Sequence, residues 1–267
     1  MVAPAGGSVT AFSIAAARAS GPPVNVIQWF TKTSFRTRSG AIPHQMWLTV
    51  WHSAAALVLA VLIAVPLAVV LAHYRRGELL AGWMVNTGRA IPTVAILGIA
   101  VIISLRQGFG FEPWPIIVSL VLLALPPLFA NTFAAVRGVD PSAVDAARAV
   151  GLSEREIMTR IELPLALPVL FVGLRTAAVQ VVATEPIAAL FGAEGLGAYI
   201  RQGLGNQDLY QIQAGALMVT AVAVVADLSL WLVARTLIPA PIRRQAARPA
   251  RRTRVARRAA ELAPAAP

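Results

Sequence analysis

Residues 39–74 read SGAIPHQMWLTVWHSAAALVLAVLIAVPLAVVLAHY, and none of these 36 residues is Asp, Glu, Lys or Arg. A helix that crosses a bilayer needs about 20 predominantly apolar residues, so this stretch holds one with flanks to spare. Outward from it, an uncharged run of 24 separates Glu112 from Arg137, and one of 18 separates Asp208 from Asp227. Across all 267 residues the chain is 57% hydrophobic and 13% charged, with a mean hydropathy of +0.69. Soluble domains carry roughly 25% charged residues, which excludes an ordinary soluble domain. The reading is an all-α integral membrane protein with about five spanning helices, near Trp47–Leu71, Trp83–Leu105, Pro115–Val136, Leu165–Leu190 and Ile212–Leu237. Pro66, Pro92, Pro126 and Pro127 fall inside these spans, where neighbouring helices can re-satisfy the freed carbonyls.

The absence of Cys removes disulfides, thiolate catalysis and Cys-ligated metals from consideration. The net charge is +11, and nine of the 23 basic residues lie between Arg235 and Arg258. A basic tail beside a membrane fixes topology and touches anionic lipid headgroups, so lipid and not nucleic acid is its expected partner. With the amino terminus outside, fifteen basic residues face the cytoplasm and six face outward, which favours an outside start and an inside end. The expected organisation is a leader over 1–44, a membrane domain over 45–240 and an Arg-rich cytoplasmic tail over 241–267. Residues 1–23 are rich in Ala, Gly, Ser and Pro and read as a disordered leader; residues 24–38 suit either an interfacial segment or a loose tether.

One loop, residues 137–164, is long and well punctuated. Asp140-Pro141 reads as an N-cap followed by proline at the first helical position. A helix over Ser142–Val150 then ends at Gly151, a natural left-handed C-terminal residue. Ser153 and Glu156 have capping-box spacing for a second short helix, with Ile157 and Ile161 on one face. Pro164 comes next, as the following span begins. This punctuation predicts two short helices at right angles on the cytoplasmic face.

Asp145-Ala146-Ala147, three residues, Gly151, nine residues, then Ile161-Glu162-Leu163-Pro164 resembles the EAA loop of ABC importer permeases. The family pattern is E-A-A-x3-G-x9-I-x-L-P, and Asp145 is its one departure. The stretches NTGRAIPTVAILGI (86–99), ELPLALP (162–168), GLRT (173–176) and GAEGLG (192–197), with Asn131-Thr132 and Gly138–Pro141, are similar to the permeases of osmoprotectant importers. Such systems carry glycine betaine, choline, proline betaine or carnitine. The resemblance implies a type I importer permease in a bacterial plasma membrane. It implies a coupling helix containing Asp145, Ala146, Ala147 and Gly151, with Ile161, Leu163 and Pro164 behind it. The implied partners are a cytoplasmic ATPase dimer, a second permease copy or paralogue, and an extracytoplasmic binding protein. Permeases for methionine, sulfonates or other small solutes share this loop, and a channel or scaffold without ATP coupling is the reading from another class.

No P-loop is present, for the single lysine, Lys32, is not in that setting. The chain therefore reads as a non-enzyme that binds no cofactor, with ATP and Mg on the partner ATPase. Intramembrane charges are functional suspects because burying them unpaired is costly. Arg175 and Asp227 are expected at similar depths, roughly 15 Å from the cytoplasmic boundary, and are expected to pair. Arg89 either snorkels or competes for Asp227. Glu185, near the outer end of the fourth span, either attracts a quaternary ammonium or faces water. Gly192, Gly195 and Gly197 form an outer gate, a docking surface or a simple tight loop. His44, His52 and His73 lack metal-site spacing, and the six tryptophans are expected to anchor helix ends at the interface.

Overall fold

The structure, a computed structural model, describes residues 26–31, 42–87, 92–110 and 113–239. Lys32, Arg36, Arg38, Arg89 and the Arg-rich tail lie outside the described residues. Among those described, the regular elements are helices: α1 (Val26–Thr31), α2 (Ile42–His73), α3 (Glu78–Thr87), α4 (Thr93–Arg106), α5 (Trp114–Arg137), α6 (Pro141–Ala149), α7 (Glu154–Phe191), α8 (Gly197–Asn206) and α9 (Leu209–Leu237). Four of them, α2, α5, α7 and α9, are long and apolar enough to cross a membrane.

The second expected span is not one helix. It is the pair α3 and α4, and α4 has 14 residues. Pro92 stands at the N-cap of α4 in extended geometry, with ψ 102°; proline lacks the N–H a continuing helix needs and biases its predecessor away from helical angles. The pair still carries the chain across. Arg137, the last residue of α5, donates to Glu78, which opens α3 just beyond the end of α2, so α2 and α5 end on the same side. At the other side Trp114 Nε1, opening α5, donates to Ser104 Oγ near the end of α4 (3.1 Å).

The core grows out of α2. Ala56, Ala60, Ala64, Ala68 and Ala72 are all buried at a spacing of four, one row along a helix face. In lipid no hydrophobic force pulls helices together, so close approach over small side chains is the main source of packing energy. Ile116, Leu120, Ala124, Leu128 and Phe129 of α5 share this core with Ala166, Ala177 and Val181 of α7. A second core joins Trp29, Val182, Leu196, Tyr199, Ala214, Met218 and Val222. Residues 26–31 are therefore not a loose tether: Trp29 is fully buried, edge-on to Tyr199 at 5.6 Å between ring centroids. It departs from the other interface candidates, since Trp47, Trp51, Trp83 and Trp231 are exposed.

The α5–α7 crossing rests on Gly173. A Cβ added there would lie 3.0 Å from Asn131 Cγ and closer still to its Cβ, whereas one at Gly82 on α3 meets nothing within 4 Å. Gly173→Ala is expected to destabilise the protein by about 1–3 kcal/mol, and Gly82→Ala to be neutral or stabilising. Thermal unfolding of the detergent-solubilised variants checks the pair.

Candidate functional site

At the inner end of the bundle, α6 is fixed at both termini by its own sequence. Asp140 Oδ1 accepts from the Ser142 backbone N–H at 3.0 Å, and Pro141 fills the first position. At the far end the Leu152 N–H bonds to the Ala147 carbonyl and the Gly151 N–H to the Arg148 carbonyl, the Schellman pair that stops a helix. Gly151 has φ +89°, a left-handed conformation that costs little only for glycine. Ser153 and Glu156 then form the expected reciprocal capping box.

The second short helix expected beyond this box does not stand apart from the fourth span. Glu154 begins a helix that runs unbroken into that span as α7, and Pro164 is no boundary. The helix passes Pro164 by widening: Ile157–Glu162 is a π turn, with the Leu163 N–H bonded five residues back to the Met158 carbonyl. A proline ring clashes with the carbonyl four residues earlier, and a π turn relieves that clash. Such turns recur at functional sites. Ile157 is buried in this turn, Ile161, Leu163 and Pro164 are half-buried, and Glu162 is buried. On α6, Ala147 packs inward while Asp145 and Ala146 are exposed, as are Ala149 and Val150. The exposed side chains of α6 are thus mostly small, Pro141, Ser142, Ala146 and Ala149, with the Asp145 carboxylate and the Arg148 guanidinium among them.

A chain of charged side chains that no sequence motif announces braces this corner. Arg148 donates through Nε and Nη2 to both oxygens of Glu154 (2.8 and 3.0 Å) and approaches Asp145 at 3.4 Å. The paired Glu154 carboxylate raises the Arg148 pKa above its usual value. Glu154 also meets His73 Nε2 at 3.1 Å, and His73 Nδ1 lies 2.6 Å from Glu162. His73 is the last residue of α2. Its pairing with Glu162 leaves no local signal because the two lie 89 residues apart.

At the outer end Glu185 does not face water. It is 2% exposed and its Oε1 lies 3.1 Å from His52 Nδ1. Two further α2 side chains bind the glycine loop: Gln45 Oε1 accepts from the Gly195 N–H, and Thr49 Oγ1 from the Leu196 N–H at 2.8 Å. Gly195 has φ +127°, and a Cβ there would lie 2.8 Å from Glu185 Oε1 and 2.9 Å from Thr49 Oγ1. Gly197 presses on the Pro186 backbone with no room for a Cβ. Gly192 is exposed and closes the last turn of α7 with φ +91°. Gly195 and Gly197 are therefore buried packing positions of a tight loop.

The family model described as the binding-protein-dependent transport system inner membrane component matches residues 56–241. The chain belongs to that family. Curated relatives include the carnitine transport permease protein OpuCD of Listeria monocytogenes, 32% identical over 212 residues (79% of this chain, 93% of that one). The choline transport system permease protein OpuBB of Bacillus subtilis is 32% identical over 78% of this chain and 94% of its own. The osmoprotectant import permease protein OsmW of Salmonella typhimurium is 33% identical over 72% and 90%. Among solved structures, the MetNI methionine ABC transporter in an inward-facing conformation aligns with a TM-score of 0.63 at 19% identity, over 72% of this chain and 94% of that one. At that identity the likeness shows the fold. Family and fold together establish an all-helical inner-membrane transport subunit, as the charge-free runs and the EAA-like loop imply.

In this family member the expected pair meets: Arg175 Nε and Nη2 donate to Asp227 Oδ1 and Oδ2 at 2.8 and 2.6 Å. The bidentate geometry joins α7 to α9 and neutralises both charges against lipid. Arg175→Gln or Asp227→Asn alone is expected to lower membrane-inserted yield and thermal stability, and the exchange Arg175→Asp with Asp227→Arg to recover a substantial part of both. Quantifying folded protein by fluorescence-detected size exclusion reads the result.

Proposed function

We propose that this chain is the membrane permease of an ATP-driven bacterial importer for small osmoprotectants such as glycine betaine, choline, carnitine or proline betaine. The observation that carries the reading is α6, a short helix capped at both ends that presents Ala146 and Ala149 outward on the inner face, with Val150 exposed at its C-cap. That surface suits a groove in a cytoplasmic ATPase: small side chains allow close backbone approach, and the Asp145 carboxylate stands at its edge. Closure of an ATPase dimer presses on α6, and the continuous α7 carries the displacement into the membrane as a rigid rod. ATP and Mg are bound by that partner, and this chain performs no chemistry of its own. A second copy or a paralogue completes the path, and an extracytoplasmic binding protein delivers solute to the outer loop around Glu185, Gly192, Gly195 and Gly197. The similarity to carnitine, choline and osmoprotectant permeases supports the cargo class.

The test reconstitutes the chain with its cognate ATPase and binding protein in proteoliposomes. ATP-dependent accumulation of radiolabelled glycine betaine, choline or carnitine is expected, with methionine and taurine transported poorly; the reverse preference overturns the cargo class. Ala146→Trp, at an exposed position, is expected to cut ATP-dependent uptake by at least about tenfold, the effect of removing about 1.4 kcal/mol of docking energy, with thermal stability unchanged. Solute flux that is indifferent both to Ala146→Trp and to ATP overturns the coupled reading in favour of a channel.

A further inference from the structure

We propose that His73 is a positioning residue that locks the first spanning helix to the coupling corner, so that one push on α6 moves α2 together with α7. The inference rests on the importer reading. α7 receives motion from the corner through its own backbone, because Glu154 begins the same helix that crosses the membrane. α2 has no such continuity, for 80 residues of chain separate His73 from Glu154. Its link is made through side chains at its last residue. His73 is 8% exposed and stands between two carboxylates, with Nδ1 2.6 Å from Glu162 and Nε2 3.1 Å from Glu154.

Each carboxylate belongs to a different part of the corner. Glu162 is 6% exposed and closes the π turn, so its bond ties α2 to the place where α7 widens. Glu154 is gripped by Arg148 from α6 through two hydrogen bonds. This second arm bridges over the left-handed Gly151 where α6 ends, and ties α6 to α2 by a route that does not run through the Gly151 backbone. Arg75, Arg137 and Asp145 line the same polar pocket as His73, Arg148 and Glu162, and Arg137 is occupied with Glu78. The two Arg148–Glu154 hydrogen bonds are charge-assisted and bidentate, hence directional, which suits a strut. The far end of α2 carries Gln45, Thr49 and His52 against Gly195, Leu196 and Glu185. A locked α2 therefore carries motion at the inner corner to the outer loop.

The experiment uses the complete importer in proteoliposomes with glycine betaine as the probe, and measures uptake and ATP hydrolysis in parallel. In His73→Ala, hydrolysis is expected to stay within about twofold of wild type while uptake falls about fivefold or more, so that ATP consumed per solute rises. Glu154→Ala is expected to raise the same ratio, and the double variant to be no worse than the more severe single one, because the two residues act in series. His73→Gln, which keeps a donor near the position of Nε2, is expected to restore at least half of the coupling. Glu154 is half exposed, so Glu154→Ala carries the prediction where His73→Ala fails to fold. An unchanged ATP-per-solute ratio in Glu154→Ala and in any folded His73→Ala overturns this inference alone. A wild-type chain that recruits no ATPase overturns the importer reading and this inference with it.

Discussion

Close packing along one face of α2 is the constraint on which the rest of the molecule hangs. Ala56, Ala60, Ala64, Ala68 and Ala72 give α5 a shallow groove to lie in. Where lipid tails are as apolar as leucine, backbone approach over such residues supplies the dispersion energy that the hydrophobic effect supplies in water. The same face continues beyond the alanines in both directions. Outward the row runs to His52, with Thr49 and Gln45 alongside, and inward its last alanine, Ala72, is followed by the buried His73. One helix thus supplies the centre of the core and the polar grip at each end. The 21 residues from His52 to His73 span about 31 Å at 1.5 Å per residue.

The two polar clusters share a chemical logic. Each buries a glutamate from the α7 chain, Glu185 outside and Glu162 inside, and each sets a histidine of α2 against it. A carboxylate in a low-dielectric setting is costly unless it is hydrogen-bonded, so neither cluster is incidental to packing. They differ in what else they hold. The outer cluster binds backbone N–H groups of a tight glycine loop, which is compact and local. The inner cluster binds charged side chains that reach onto α6, the element with the exposed small side chains. The outer cluster thus ties α2 to one loop, whereas the inner cluster ties α2 to both α6 and α7.

Much of this is legible in the sequence, and the remainder is hidden for physical reasons. The charge-free runs mark α2, α5 and α9, because spanning helices must exclude charge over a fixed length. Asp140-Pro141, Gly151 and Ser153 with Glu156 mark the caps of α6 and the start of α7, because capping depends on neighbours within a few residues. Arg175 and Asp227 are legible as partners from depth alone. Pro92 does not reveal the break between α3 and α4, since a proline inside an apolar run can either kink a helix or end it. Pro164 misleads in the opposite direction: the helix passes it through a π turn that no simple periodicity announces. The burial of Glu185, and its pairing with His52, depend on contacts 133 residues apart. For His52 and His73 the sequence supports only a negative statement about metal, because a single histidine has no local signature of its partner.

The π turn also sets how the corner is joined to α2. A regular α-helix from Glu154 onward would need an N–H at Pro164 and would place its ring against the Arg160 carbonyl. Widening over Ile157–Glu162 removes that conflict and rotates the residues beyond it relative to those before. Glu154 and Glu162, eight residues apart, thereby reach the two nitrogens of one imidazole. In an unbroken α-helix eight residues rise about 12 Å, more than the ring alone bridges, so the carboxylate side chains must converge from above and below. The proline that forces the wide turn thus serves the geometry that joins α2 to α7. Removing Pro164 would let the turn relax toward regular helix and shift Glu162 relative to His73, so a residue with no polar side chain of its own holds the contact between α2 and α7 through the helix it distorts.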